Sequence, residues 1–295
     1  MRRRIFLLGG AALAAGGALA TYSGFAHDIA RAARNLEGRS SLVSSRFGAI
    51  EYGIVGDGPP VLMVHGTGGG FDQGLAAAPR LVSAGHRVIA PSRFGYLRSD
   101  IPADASSDAQ ADAFIDLLDA LGVDRAPIIG VSAGALSALA FAIRHPARCS
   151  GVVAAVPATY VPGRTPQPPS PLASAIYAYA LKSDFLFWLT LKTAEPAMVA
   201  SILATDIDVF RTAAPPEQQR ARQLLWDILP VSRRARGLRN DALLAGDPAP
   251  MPMERITAPT LAIALEDDRY GTYAANAPDR KSASELRDPR SETLC

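Results

Sequence analysis

Cysteine is nearly absent. The 295 residues hold two, Cys149 and Cys295. Two thiols build no disulfide framework, and neither stands in a Cys-x-x-Cys or metal-ligand spacing. Histidine is almost as scarce, with only His27, His65, His86 and His145. They form no histidine–carboxylate cluster, which argues against a metal hydrolase, and no motif asks for a cofactor. Charge of one sign is not in excess, since 30 Lys+Arg face 28 Asp+Glu for a net +2. That balance leaves no electrostatic footprint for nucleic acid. Apolar residues, by contrast, are plentiful. They make up 48% of the chain, with a mean hydropathy of +0.11. Such a chain can bury a full core, which excludes disordered and collagen-like classes.

The N-terminus opens Met1-Arg2-Arg3-Arg4 and then carries no charge for 22 residues, from Ile5 to Ala26. A basic start followed by an apolar stretch reads as an export signal, or as a membrane anchor if it stays uncut. Arg3-Arg4-Ile5-Phe6-Leu7 is similar to a twin-arginine export pattern. Ala18-Leu19-Ala20 fits a small-x-small cleavage site. Residues 1–26 are therefore expected to export the chain or to hold it at a membrane. Residues 27–41 are expected to form a linker helix.

From Leu42 onward apolar runs alternate with helical patterns. Residues 42–47 and 49–55 read as a strand pair, and Val61–Val64 and Arg87–Ala90 as buried strands. A helix is expected over about 72–84. Another is expected over 107–121, opened by a capping box of Ser107 and Gln110. Strands follow at 127–129 and 152–156, with an alanine-rich helix at 133–144 between them. This alternation predicts an α/β fold, a mostly parallel sheet with helices on both faces. Residues 157–171 contain six prolines, and 172–229 read as helical. The strand pattern resumes at Thr260–Leu265. The expected organisation is a core over 42–156 and 256–274, interrupted by a helical cap over 157–255.

Gly130-Val131-Ser132-Ala133-Gly134 matches G-x-S-x-G. This is the pattern of a nucleophile elbow, a sharp strand-to-helix turn that exposes the serine oxygen. The flanking glycines are needed because side chains there would clash. The motif follows an apolar strand and opens a helix, as the elbow requires.

With these residues the chain resembles the capped serine α/β-hydrolases over about 42–270. The resemblance implies Ser132 as nucleophile. It places His65-Gly66-Thr67-Gly68-Gly69 at the family's oxyanion loop, so that the Thr67 and Ala133 N–H groups would bind the oxyanion. His65 is expected to shape that loop rather than transfer protons. Pro91–Ser99 resembles the turn after the fourth strand, where Arg93 and Arg98 would tie loops or touch substrate. The acid falls at Asp268 in Leu265-Glu266-Asp267-Asp268, with Asp267 as the neighbouring alternative. Cap aromatics Tyr177, Tyr179, Phe185, Phe187 and Trp188 would either line an apolar pocket or pack the cap onto the core.

The resemblance then breaks. The family order is serine, acid, histidine, yet no histidine follows Asp268. His145 ends the nucleophile helix, His86 precedes a strand, and His27 lies near the N-terminus. Among the 21 residues 275–295, eight are charged and only Leu286 and Leu294 are large and apolar. That stretch carries no strand run, so the family's last strand and helix are expected to be missing, as a shifted reading frame after about residue 273 would produce. Two functions follow as expectations. One is a serine hydrolase acting on an ester, lactone or similar acyl bond of a small apolar substrate, impaired for want of a base. The other is a non-catalytic scaffold that binds a small molecule.

Overall fold

The computed structural model describes residues 2–161, 179 and 181–265, with side chains from Gly16 onward. Helix α1 runs unbroken over Arg2–Arg34. Among the described residues no helix is long and apolar enough to cross a membrane. Of the charge-free run beginning at Ile5, side chains are described from Gly16 onward.

The core sheet has seven strands: β1 (Ser41–Ser45), β2 (Gly48–Val55), β3 (Pro60–Val64), β4 (Arg87–Pro91), β5 (Ala126–Val131), β6 (Cys149–Ala155) and β7 (Thr260–Ile263). Their order is β1-β2-β4-β3-β5-β6-β7. The pairs β1/β2 and β2/β4 are antiparallel and all the others parallel. Strand β3 illustrates why a continuous apolar run was needed. Leu62 and Val64 enter the main core, while Met63 packs on the opposite face with Val88 and Ala78.

Helices cover both faces. On one lie α2 (Phe71–Ala76) and α3 (Pro79–Ser83). On the other lie α4 (Ser107–Ala120) and α5 (Gly134–Arg144), whose Phe114, Leu117 and Phe141 are fully buried. Two expectations need correction. The helix foreseen over 72–84 is two short ones, because Pro79 cannot donate to an ongoing helix and instead starts the second. Helix α4 is capped by Ser106, not Ser107. The Ser106 hydroxyl accepts the Ala109 N–H at 3.2 Å. Gln110 is turned elsewhere and accepts the Phe94 N–H at 2.7 Å.

Between β6 and β7 the described chain is helical: α6 (Asp184–Thr193), α7 (Glu195–Ile202), α8 (Ile207–Thr212), α9 (Pro215–Trp226) and α10 (Ala235–Leu244). These share their own apolar core of Trp188, Val199, Phe210, Leu225 and Leu238. Phe25, Ile29 and Ala32 of α1 pack against it.

Candidate active site

Ser132 stands between β5 and α5 with φ +51°, in the left-handed region that non-glycine residues rarely occupy. Its N–H donates to Ala155 O at 2.9 Å and its carbonyl accepts the Ala135 N–H at 3.0 Å. The strand therefore turns into the helix within one residue. A Cβ at Gly130 would lie 2.6 Å from that of Ala138, and one at Gly134 would lie 2.3 Å from His65 O. Both glycines are thus demanded by close approach, as expected for an elbow. The geometry matches a strained turn held by its surroundings.

Ser132 lines a cavity of about 350 Å³ together with Thr67 and Gly68. The cap supplies its apolar wall through Leu181, Phe187, Ile202, Ile228 and Leu238. Among the described residues the N–H groups of Thr67 and Ala133 have no hydrogen-bond partner. The first turn of α5 adds the positive end of a helix dipole beside Ser132. That dipole end favours a negative charge beside Ser132.

The cap aromatics divide. Phe187 lines the cavity. Phe185 and Trp188 instead receive α1, with Phe25 at 5.3 and 5.8 Å between ring centroids. Tyr179 is exposed, and Tyr177 lies outside the described residues.

None of the histidines approaches Ser132 as a hydrogen-bond partner. His65 is buried. Its Nε2 accepts the Arg93 N–H at 2.9 Å, which leaves the proton on Nδ1, 2.7 Å from Gly66 O. Burial first, and then the Arg93 charge, hold its pKa well below the ordinary histidine value. It is a neutral loop former, as expected. His145 Nε2 lies 2.7 Å from Asp112 at the far end of α5. His86 precedes β4 and His27 is exposed on α1. Arg93 and Arg98 tie loops together: Arg93 pairs with Asp241 at 2.7 Å and Arg98 with Glu51 at 2.6 Å.

Asp268 and Asp267 lie outside the described residues, as does the tail 275–295. The sheet does fix where the chain leaves β7. Ile263 is level with Ala155, whose carbonyl holds the Ser132 N–H, and β7 runs parallel to β6. The segment after β7 therefore departs from the edge of the sheet that carries Ser132.

Sequence reasoning missed Tyr96, Arg234 and Asp241, which are buried around the loop 65–70. Only the unusual placing of charged residues in apolar surroundings could have signalled them.

The sheet order, the elbow and the inserted cap together decide the fold. The chain is an α/β-hydrolase-fold protein. The family model described as alpha/beta hydrolase fold matches residues 59–195. An α/β-hydrolase fold protein from Nakamurella multipartita is 28% identical with a TM-score of 0.61, covering 80% of this chain and 86% of that one. Among curated proteins, the 2-hydroxymuconate semialdehyde hydrolase of Pseudomonas sp. (strain CF600) is 40% identical over 103 residues, 33% of this chain and 36% of its own length. The 2-hydroxy-6-oxo-6-phenylhexa-2,4-dienoate hydrolase of Comamonas testosteroni is 36% identical over 109 residues, 35% of this chain and 38% of its own. The α/β-hydrolase-fold chain thus spans under two-fifths of either curated relative.

Proposed function

We propose that this α/β-hydrolase carries a serine-centred hydrolytic site for a small, mainly apolar carbonyl compound. Ser132 is the nucleophile, the Thr67 and Ala133 N–H groups receive the oxyanion, and Asp268 is the acid. The observation that carries this reading is the strained Ser132 facing an apolar cavity beside two unpaired backbone donors. The bond attacked is an acyl bond, either of an ester or lactone or between carbon atoms beside a ketone. The second form is supported by the relatives, whose names specify a hydroxymuconate semialdehyde and an oxo-dienoate rather than esters. Both bonds pass through the same tetrahedral oxyanion, so the same donors serve either.

Turnover by the 295-residue chain is slow in this reading. A serine hydroxyl needs a base to take its proton, and the four histidines are engaged or remote. What remains are the oxyanion donors and binding, which retain on the order of 10³–10⁴-fold over water when a triad is broken. That none of the four histidines bonds Ser132 also favours the second reading, a protein that binds its ligand without cleaving it.

A fluorophosphonate probe and an aryl ester assay on the intact chain and on Ser132→Ala separate these. Slow labelling and weak hydrolysis, both abolished by Ser132→Ala, support the hydrolytic reading. No labelling of Ser132 under any condition leaves the binding protein. Labelling and turnover at ordinary enzyme rates would refute the impairment and point to a base elsewhere.

A further inference from the structure

The loop His65–Gly70 carries the Thr67 N–H, and side chains from both the core and the cap set its shape. Two buried guanidinium groups hold its carbonyls. Arg93 donates from Nε to His65 O at 3.0 Å and from Nη2 to Gly66 O at 3.2 Å. Arg234, fully buried, donates from Nη1 to Gly69 O at 2.5 Å. A carboxylate answers each guanidinium. Asp241 takes both Nη groups of Arg93 at 2.7 Å, and Asp72 takes those of Arg234 at 3.1 and 2.7 Å. Tyr96 closes the circuit. Its hydroxyl accepts the Gly68 N–H at 3.2 Å and donates to Asp241 Oδ2 at 2.5 Å.

The loop's own donors are consumed in the same way. Gly66 N–H goes to Gln73 Oε1, Gly68 N–H to Tyr96, and Gly69 N–H to Gly66 O. The Thr67 and Gly70 N–H groups have no partner among the described residues, and of these two residues only Thr67 lines the cavity with Ser132. Arg93, Tyr96 and Asp72 belong to the core, whereas Arg234 and Asp241 sit at the start of α10 and on α10 in the cap. The oxyanion loop is therefore clamped between the two parts of the chain.

We infer that Asp241 is a positioning residue for the reaction: through Arg93 and Tyr96 it fixes the loop so that the Thr67 N–H points at the oxyanion position. The cap then does more than roof the pocket, because it supplies the anchor that shapes the donor. The inference rests on the proposed reading of the Ser132 site. Burial and then the Asp241 charge push the Tyr96 phenol well above its ordinary pKa, so it keeps the proton it donates.

Two variants test this. Tyr96→Phe deletes only the hydroxyl and keeps the ring, against which Gly237 fits without a side chain. Asp241→Asn removes the charge at constant shape. Complete loss of an oxyanion donor costs 10²–10³-fold. A donor displaced but still present is therefore expected to slow fluorophosphonate capture of Ser132 by about tenfold. The Kd of Tyr96→Phe for a non-covalent neutral aryl ketone should meanwhile stay within about twofold of the parent, because Tyr96, unlike Asp241, does not line the cavity. Hydrogen exchange followed by mass spectrometry should accelerate in the peptide covering 65–70 and stay unchanged in β5. Unchanged exchange in that peptide overturns the inference, and so does a parallel loss of capture and ketone binding, which marks a merely structural role. If the parent chain is never labelled, the Ser132 reading falls on its own, and the exchange result alone decides the clamp.

Discussion

Single residues decide whether the elbow can exist. Ser132 tolerates its left-handed conformation only because Gly130 and Gly134 let β5, α5 and the loop at His65 come together. Gly134→Ala puts a methyl group 2.3 Å from His65 O and 2.9 Å from Val64 O, both backbone atoms that cannot swing aside. It should cost about 2–3 kcal/mol, as overpacking does, and urea unfolding would measure it. A loss under about 0.5 kcal/mol would mean that the loop is softer than drawn. His65 gives a pH signature. Its folded pKa is depressed, so its contribution to stability is complete above about pH 6.5, the unfolded value. Below that, the unfolded chain takes a proton that the folded chain refuses. Stability then falls as pH drops, by at most about 1.4 kcal/mol per unit from this one group. His65→Gln should be less stable at pH 8 yet lose about one proton's worth of slope between pH 6.5 and 5. Equal slopes for the two proteins would assign the acid sensitivity to other groups. Ser132, Thr67 and Ala133 were legible because an elbow and its loop are local patterns. Asp241 was not, since it meets Arg93 across 148 residues and nothing near it in the chain signals the partner.

At the scale of elements, N-terminal helix and cap behave as one packing unit. Phe25 sits edge-on to Phe185 and Trp188, and Asp28 accepts the Trp188 indole N–H at 2.9 Å and pairs with Lys192 at 3.3 Å. Helix α6 presents these residues to α1 and Phe187 to the cavity. Removing the ring with Phe25→Ala should therefore lower stability by about 2 kcal/mol, less than for a fully buried phenylalanine because Phe25 is only partly covered. It should also weaken binding of a neutral aryl ketone. A lower melting temperature with an unchanged Kd would uncouple the α1 contact from the pocket. Strands β3 and β4 were readable because each crosses the core as an apolar run, Val61–Val64 and Val88–Ala90. Helices were readable in kind but not at their ends. Pro79 split one, and Ser106 outcompeted its neighbour as a cap, because capping depends on which hydroxyl the extended residue aims at the N–H of the third residue. The docking of α1 on the cap was not readable, since an apolar stripe does not name what it will cover.

At the scale of the whole molecule, the described part of the sheet is closed on one flank and open on the other. The antiparallel hairpin β1/β2 finishes one flank, with Glu51 facing inward to Arg98 and Ser92. At the other, β7 is the last strand among the described residues, and its outer edge has no partner there. Leu261, Ile263 and Leu265 are all exposed on or just beyond it, at 55%, 43% and 52%. An apolar edge with unpaired backbone groups is a template for a second chain, and natural sheets blunt such edges with charge. The chain is therefore expected to self-associate in a concentration-dependent way, with β7 as the contact. Leu261→Lys should shift the weight-average mass toward the monomer in sedimentation equilibrium. It should cost the monomer little stability, because an exposed side chain has little packing to lose. The charge is also expected to leave the cavity intact, since Leu261 is not among the residues that line it and β7 reaches Ser132 through the β6 backbone at Ala155. Fluorophosphonate capture of Ser132 in the variant should match the parent. If Leu261→Lys leaves the association constant unchanged, association runs through another face. If it abolishes capture as well, edge and site are coupled through β6, and the open flank is part of how the site is held.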